Sequence, residues 1–132
     1  MDIVNHAQEM TEIAKMNQDP ECIISNILAV KDTVNVINGK WKAAIIYSLA
    51  TGKKRYSDLQ KGIPKINPRM LSKELRDLES NGILTRKVYH TVPVTIEYEL
   101  TKSGHDFKND VLKAMLTWGV KHRKNILEKF SV

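Results

Sequence analysis

The chain has 132 residues, the size of one domain with a real core, and its 42% apolar and 27% charged content is that of a soluble globular protein. No apolar run approaches the roughly 18 residues that span a bilayer, the acidic start (Asp2, Glu9, Glu12) lacks a signal-peptide pattern, and one cysteine excludes an internal disulfide, so the reducing cytoplasm is the expected compartment. The formal net charge of +6 favours a polyanionic partner over a basic or neutral one.

Residues 3–16 read as a helix, with Ile3, Ala7, Met10 and Ala14 on one face. Such a helix either joins a partner subunit or packs on its own domain. Asp19 as cap and Pro20 at the first helical position start a second helix. Its stripe Ile23, Ile27, Val30, Val34, Ile37 recurs at helical spacing until Asn38-Gly39 stops it. A third helix runs from Lys40 to about Ala50, with Trp41, Ala44, Ile45 and Leu49 inward. A short fourth follows over Arg55–Lys61, with Tyr56 and Leu59 inward. Gly62 ends it, and a turn over Ile63–Ile66 leads to a fifth helix over 68–81.

That fifth helix has the clearest signals. Asn67 is a good N-cap, because its side-chain oxygen can accept an orphan N–H of the first turn, and Pro68 suits the position after it. Leu71, Leu75 and Leu78 share one face, while Arg69, Ser72, Lys73 and Arg76 fall on the other. The leucines would fix the helix to a body; the outer side chains could reach base edges and phosphates. A basic exposed face is also ordinary solvated surface, so its context decides. Residues 51–76 hold eight Lys/Arg and two acids, and the other residues balance at 13 of each.

After Gly82 the period changes. Leu84–Tyr89 is β-prone, and Val94, Ile96, Tyr98 and Leu100 alternate with Thr95, Glu97 and Glu99, the pattern of a half-buried strand. The two make a hairpin around residues 90–93, with Glu97 and Glu99 on a solvated outer face. Thr101 caps a final helix to about Phe130, marked by Phe107, Val111, Ala114 and Trp118. The predicted fold is mostly α with a β-hairpin. One domain over 1–132 would comprise an N-terminal helix and link (1–19), a body (20–100) with a wing at 84–100, and a C-terminal helix (101–132). A short helix, a turn and a basic helix followed by a hairpin make a winged helix-turn-helix.

Other chemistry is thin. His6, His90, His105 and His122 have no zinc-ligand spacing, and no P-loop or nucleophile elbow appears, so neither an enzyme nor a metal or cofactor is expected. Cys22 would lie in the first turn of its helix, where the helix dipole favours thiolate; it is read either as a regulatory thiol or as a small buried hydrophobe.

The motifs Asn38-Gly39-Lys40-Trp41, Arg55-Tyr56-Ser57-Asp58-Leu59, the run from Ile66 to Glu79, Val92-Pro93 to Gly104 and Trp118-Gly119 occur in order. Together they resemble the HxlR family of bacterial transcriptional regulators, whose fold is related to MarR proteins. The resemblance implies a cytoplasmic homodimer that binds double-stranded, pseudo-palindromic DNA. It implies that Arg69, Ser72, Lys73 and Arg76, on a helix capped by Asn67, face the major groove. Lys54, Arg55 and Tyr56 would lie near a phosphate, and Arg86, Lys87, His90 and Thr91 would set the wing on the backbone or minor groove. Apart from the resemblance, Tyr56 reads first as a core aromatic with its hydroxyl at the surface, ahead of a base or phosphate contact. Many members carry a cysteine where this chain has Leu28 and Ala29, and in several of them it senses oxidants or electrophiles. The alternative function is a winged-helix protein-interaction module without DNA binding.

Overall fold

A computed structural model describes residues 20–130. The predicted helix over 3–16 and the Asp19 cap lie outside the described residues. The chain forms two units, divided after Asn38, and each is described by itself. In the first, α1 (Pro20–Val36) is a continuous helix whose Ile23, Ile27, Val30 and Val34 are all exposed.

The second unit begins with α2 (Lys42–Ser48), which tightens into a 3₁₀ turn at Leu49–Thr51. A two-residue strand, β1 (Lys54–Arg55), leads into α3 (Tyr56–Gly62). The turn after α3 buries Ile63 and Ile66 while Lys65 between them takes φ 68°. This is left-handed backbone that side chains with a Cβ adopt at a cost. Next comes α4 (Pro68–Ser80). It ends in a Schellman motif: the Gly82 N–H donates to Glu79 O and the Ile83 N–H to Leu78 O, both at 3.0 Å, with Gly82 at φ 73°.

The wing is β2 (Leu84–Tyr89) and β3 (Thr95–Leu100), antiparallel from Leu84↔Leu100 to Tyr89↔Thr95. β1 pairs on the other edge of β3, so the sheet order is β1-β3-β2. The Thr101 hydroxyl caps α5 (Lys102–Phe107) by accepting from the Gly104 N–H at 3.1 Å. One π-helical turn (Lys108–Leu112) follows, then α6 (Lys113–Phe130). Ile45, Ile46 and Leu49 of the first helical stretch, Leu59, then Leu71, Leu75, Leu78 and Leu84 are the fully buried centre. The core thus sits directly beneath α4 and the root of the wing.

Four expectations need correction. Lys40 and Trp41 precede α2 rather than opening it. Trp41 is only half-buried, while Ile46 and Lys42 go inside. Lys54–Arg55 is a strand, because its backbone finds β3 across the fold. That makes β3 central, so Glu97 is half-buried between β1 and β2 rather than freely solvated. Its Oε2 is enclosed without a hydrogen bond among the described residues, and Lys53 Nζ lies 3.6 Å away. The final helix is interrupted: the π turn shifts the buried register, so Leu112 joins Phe107 in the core and Trp118 is 65% exposed.

Candidate nucleic-acid interface

The helix α4 is built as its residues require. Asn67 Oδ1 accepts the Met70 N–H at 2.8 Å, and Pro68 occupies the first helical position. Leu71, Leu75 and Leu78 are each no more than 1% exposed and fix the inner face. Arg69, Lys73 and Arg76 are exposed on the outer side. Ser72 is half-buried, because the Tyr56 hydroxyl reaches it. Tyr56 donates to Pro68 O at 2.8 Å and lies 3.1 Å from Ser72 Oγ. The phenol has one proton, and Pro68 O takes it, so Ser72 donates to the phenol oxygen. Tyr56 therefore ties the first turn of α4 to the start of α3, and its ring is half-buried.

Glu74 also falls on the buried face of α4, at 4% exposure, and it is matched by Lys42 from α2. Lys42 Nζ lies 2.6 Å from Glu74 Oε2 and 3.3 Å from Asp77 Oδ2. Burial works against the Lys42 charge, but the bonds to Glu74 and Asp77 and their charges outweigh it and raise the pKa above the ordinary lysine value. Lys73 reaches the same two carboxylates from the exposed side, 3.6 Å from Glu74 Oε1 and 3.9 Å from Asp77 Oδ2. Sequence reasoning missed this network. The available signal was Glu74 itself, since i, i+3, i+4 and i+7 spacing places a carboxylate among Leu71, Leu75 and Leu78, where it must find a cation.

A cleft of about 590 Å³ separates α4 from the wing and is lined by Tyr56, Ser72, Arg76 and Arg86, over Leu75, Ile96 and Tyr98, with Glu79 at its edge. It brings together an arginine of the helix and one of the wing. Lys54 lines a different depression, beside Tyr47 and Asp58, and its Nζ donates to Thr51 Oγ1 at 3.3 Å. Arg55 is exposed on β1, opposite Glu97 of β3, and Lys87 is opposite the same Glu97 on β2. Lys87 Nζ sits 5.1 Å from the Tyr89 ring centre. His90 and Thr91 are exposed at the wing tip, with the Thr91 hydroxyl donating to Pro93 O at 2.8 Å. Cys22 is half-buried in the first turn of α1 and outside any disulfide. Among the described residues no His/Cys/Asp/Glu group could hold a metal, and no helix is long and apolar enough to cross a membrane.

Comparison with known proteins gives a consistent result. The profile described as HxlR-like helix-turn-helix matches residues 36–126. An uncharacterized HTH-type transcriptional regulator of Bacillus subtilis (strain 168), YdeP, is 42% identical over 97 residues, covering 74% of this chain and 75% of that protein. A counterpart in Methanothermobacter thermautotrophicus is 42% identical over 106 residues, covering 78% and 80%. Among solved structures, the redox regulator HypR in its reduced form has a TM-score of 0.71 at 40% identity, covering 77% of this chain and 99% of that one.

Proposed function

The chain belongs to the HxlR-like helix-turn-helix family, and from that membership we propose that it is a sequence-specific regulator of transcription that binds double-stranded DNA as a homodimer. The observation that carries the reading is α4. It is capped, pinned by three buried leucines, and basic along its outer side, with the wing's Arg86 sharing a cleft with Arg76. In this reading α4 enters the major groove. Arg69 and Arg76 reach base edges, where a guanidinium can pair bidentately with guanine. Ser72, oriented by Tyr56, keeps an oxygen lone pair for an exocyclic amine. Asn67 sets where the helix begins and so how deep Arg69 reaches. Lys54 and Arg55 address phosphates flanking the groove, and Arg86, Lys87, His90 and Thr91 set the wing on the backbone or in the minor groove.

Two features support the dimer. Leu116, Trp118, Val120, Leu127 and Phe130 leave α6 with a broad exposed apolar surface, and α1 carries a second. Helices that expose this much apolar side chain gain by burying it against a second copy. Two copies would then present α4 to successive major grooves on one side of the duplex, reading a pseudo-palindrome. The test is an electrophoretic shift with the DNA upstream of the protein's own gene, at two salt concentrations. A specific complex that outlasts competitor DNA, and weakens steeply with salt, is expected. A shift indistinguishable from that of unrelated DNA would overturn sequence-specific regulation.

A further inference from the structure

Two lysines hold one pair of carboxylates from opposite sides. Lys42, with its side chain 9% exposed, is hydrogen-bonded to Glu74 at 2.6 Å and reaches Asp77 at 3.3 Å. Lys73, 61% exposed, lies 3.6 and 3.9 Å from the same two groups, beyond hydrogen-bond length. We propose that Lys42 is a positioning residue for DNA binding: by satisfying Glu74 and Asp77 from the core side, it frees Lys73 to leave them for a DNA phosphate. The proposal rests on reading α4 as the DNA-facing helix.

The two lysines compete for one pair of carboxylates. Glu74 is 4% exposed, so its charge needs a close cation. Lys42 meets that need at the inner oxygen, Oε2, which leaves the contact from Oε1 to Lys73 long and weak. Lys42 never has to touch DNA for this. Remove it, and Lys73 is the cation left beside Glu74; its ammonium closes on the carboxylates and is lost to the phosphate. Asp77 acts in the same direction from a more open position, 44% exposed. A purely structural role for Lys42 would change stability but would not depend on Lys73.

The test measures affinity for a selected DNA duplex across a salt series, with the intact protein and six variants. Lys73→Ala is expected to lower the salt slope by about one per recognition helix, as loss of one phosphate contact does. Lys42→Met is expected to lower it by the same amount, and Lys42→Met/Lys73→Ala no further than Lys73→Ala alone. Lys42→Arg, which keeps the charge, is expected to retain the slope. Asp77→Asn leaves the Lys42–Glu74 bond in place. It is expected to tighten binding roughly two- to five-fold, the scale of a weak surface ion pair, and Asp77→Asn/Lys73→Ala is expected to show no tightening over Lys73→Ala. Equal tightening with and without Lys73 overturns the proposal, as does a folded Lys42→Met protein with the unaltered slope. If Lys42→Met does not fold, the Asp77 pair decides alone. A wild-type chain that binds no DNA overturns the reading of α4 itself, and the proposal with it.

Discussion

Replacing Gly104 by alanine sets close packing against helix propensity, and the two predict opposite signs. Gly104 lies in the first turn of α5 and is buried. Propensity alone favours alanine by about 1 kcal/mol. A Cβ at this position, however, would collide with the Ile83 carbonyl oxygen and stand 3.1 and 3.2 Å from Cβ and Cδ2 of Leu100. That carbonyl has little freedom to retreat. It accepts the Thr101 N–H at 3.0 Å, and the Thr101 hydroxyl, whose one proton goes to Gly82 O at 2.6 Å, lies 3.1 Å from it. Leu100 ends the central strand and is itself buried. Room for the methyl therefore comes only from lifting α5 off the junction of α4, β2 and β3. Overpacking of this kind costs about 1–3 kcal/mol, and each cap or junction bond that loosens adds about 1 kcal/mol. With one such bond loosened and the propensity gain subtracted, Gly104→Ala is expected to lose about 1–3 kcal/mol. Equilibrium unfolding in urea at fixed protein concentration measures this as a fall in midpoint at constant slope. Thr101→Ala should cost less in the Gly104→Ala background than alone, because both act on one junction. A neutral or stabilised Gly104→Ala protein would refute the close-approach argument.

Three further perturbations test the framework around α4. Lys42→Met leaves Glu74 buried beside only the exposed Lys73, so it should cost about 3 kcal/mol, the low end for breaking a buried pair, read as a lower urea midpoint; a cost below about 1 kcal/mol would contradict the pairing. Because the folded protein raises the Lys42 pKa, that stabilisation is complete below about pH 10.4, where the unfolded lysine titrates, and is lost as pH rises through the higher folded value. The wild-type midpoint should therefore fall more steeply than that of Lys42→Met in alkali, and parallel curves would contradict the assignment. Lys65→Gly removes a Cβ from left-handed backbone and should raise stability by about 0.5–1 kcal/mol in the same assay, whereas a loss would show that the Lys65 side chain matters more than its φ. Tyr56→Phe removes both hydroxyl bonds to α4 and should cost about 1–2 kcal/mol, with hydrogen exchange quickening in the first turn of α4; unaltered exchange there would contradict the tie.

Local chemistry made much of this fold legible in the sequence. The Asn67-Pro68 start, the Leu71, Leu75, Leu78 stripe, the Gly82 stop and the Thr101 cap are each decided by a few neighbouring residues, and each stands where it was expected. What escaped depends on distant partners. β1 is two residues long, too short to show a period, and exists because β3 offers it a free edge. Without β1, Glu97 looked like an outward carboxylate on an open face. Lys42 carries no local signal of its burial, since nothing near it announces Glu74, 32 positions later. The π turn adds a residue to one helical turn, which a constant 3.6 period cannot foresee, and Leu112 takes an inward place as a result. The candidate interface followed the same rule. The residues proposed on α4 could be picked from its two faces, whereas the cleft joining Arg76 to Arg86 requires the hairpin to fold back beside the helix.

The most direct measurement of the central claim is selection of bound duplexes from random DNA by the wild-type chain, followed by affinities of Arg69→Ala, Arg76→Ala and Lys54→Ala on the selected site and on unrelated DNA. The account predicts enrichment of a pseudo-palindrome with half-sites about one helical turn apart. At least one of the α4 arginine variants should lose about 1–3 kcal/mol on that site, with relaxed preference at one base pair. Lys54→Ala should weaken both DNAs alike and reduce the salt slope by about one. No enriched sequence, or a selected site bound equally well by all three variants, would contradict it.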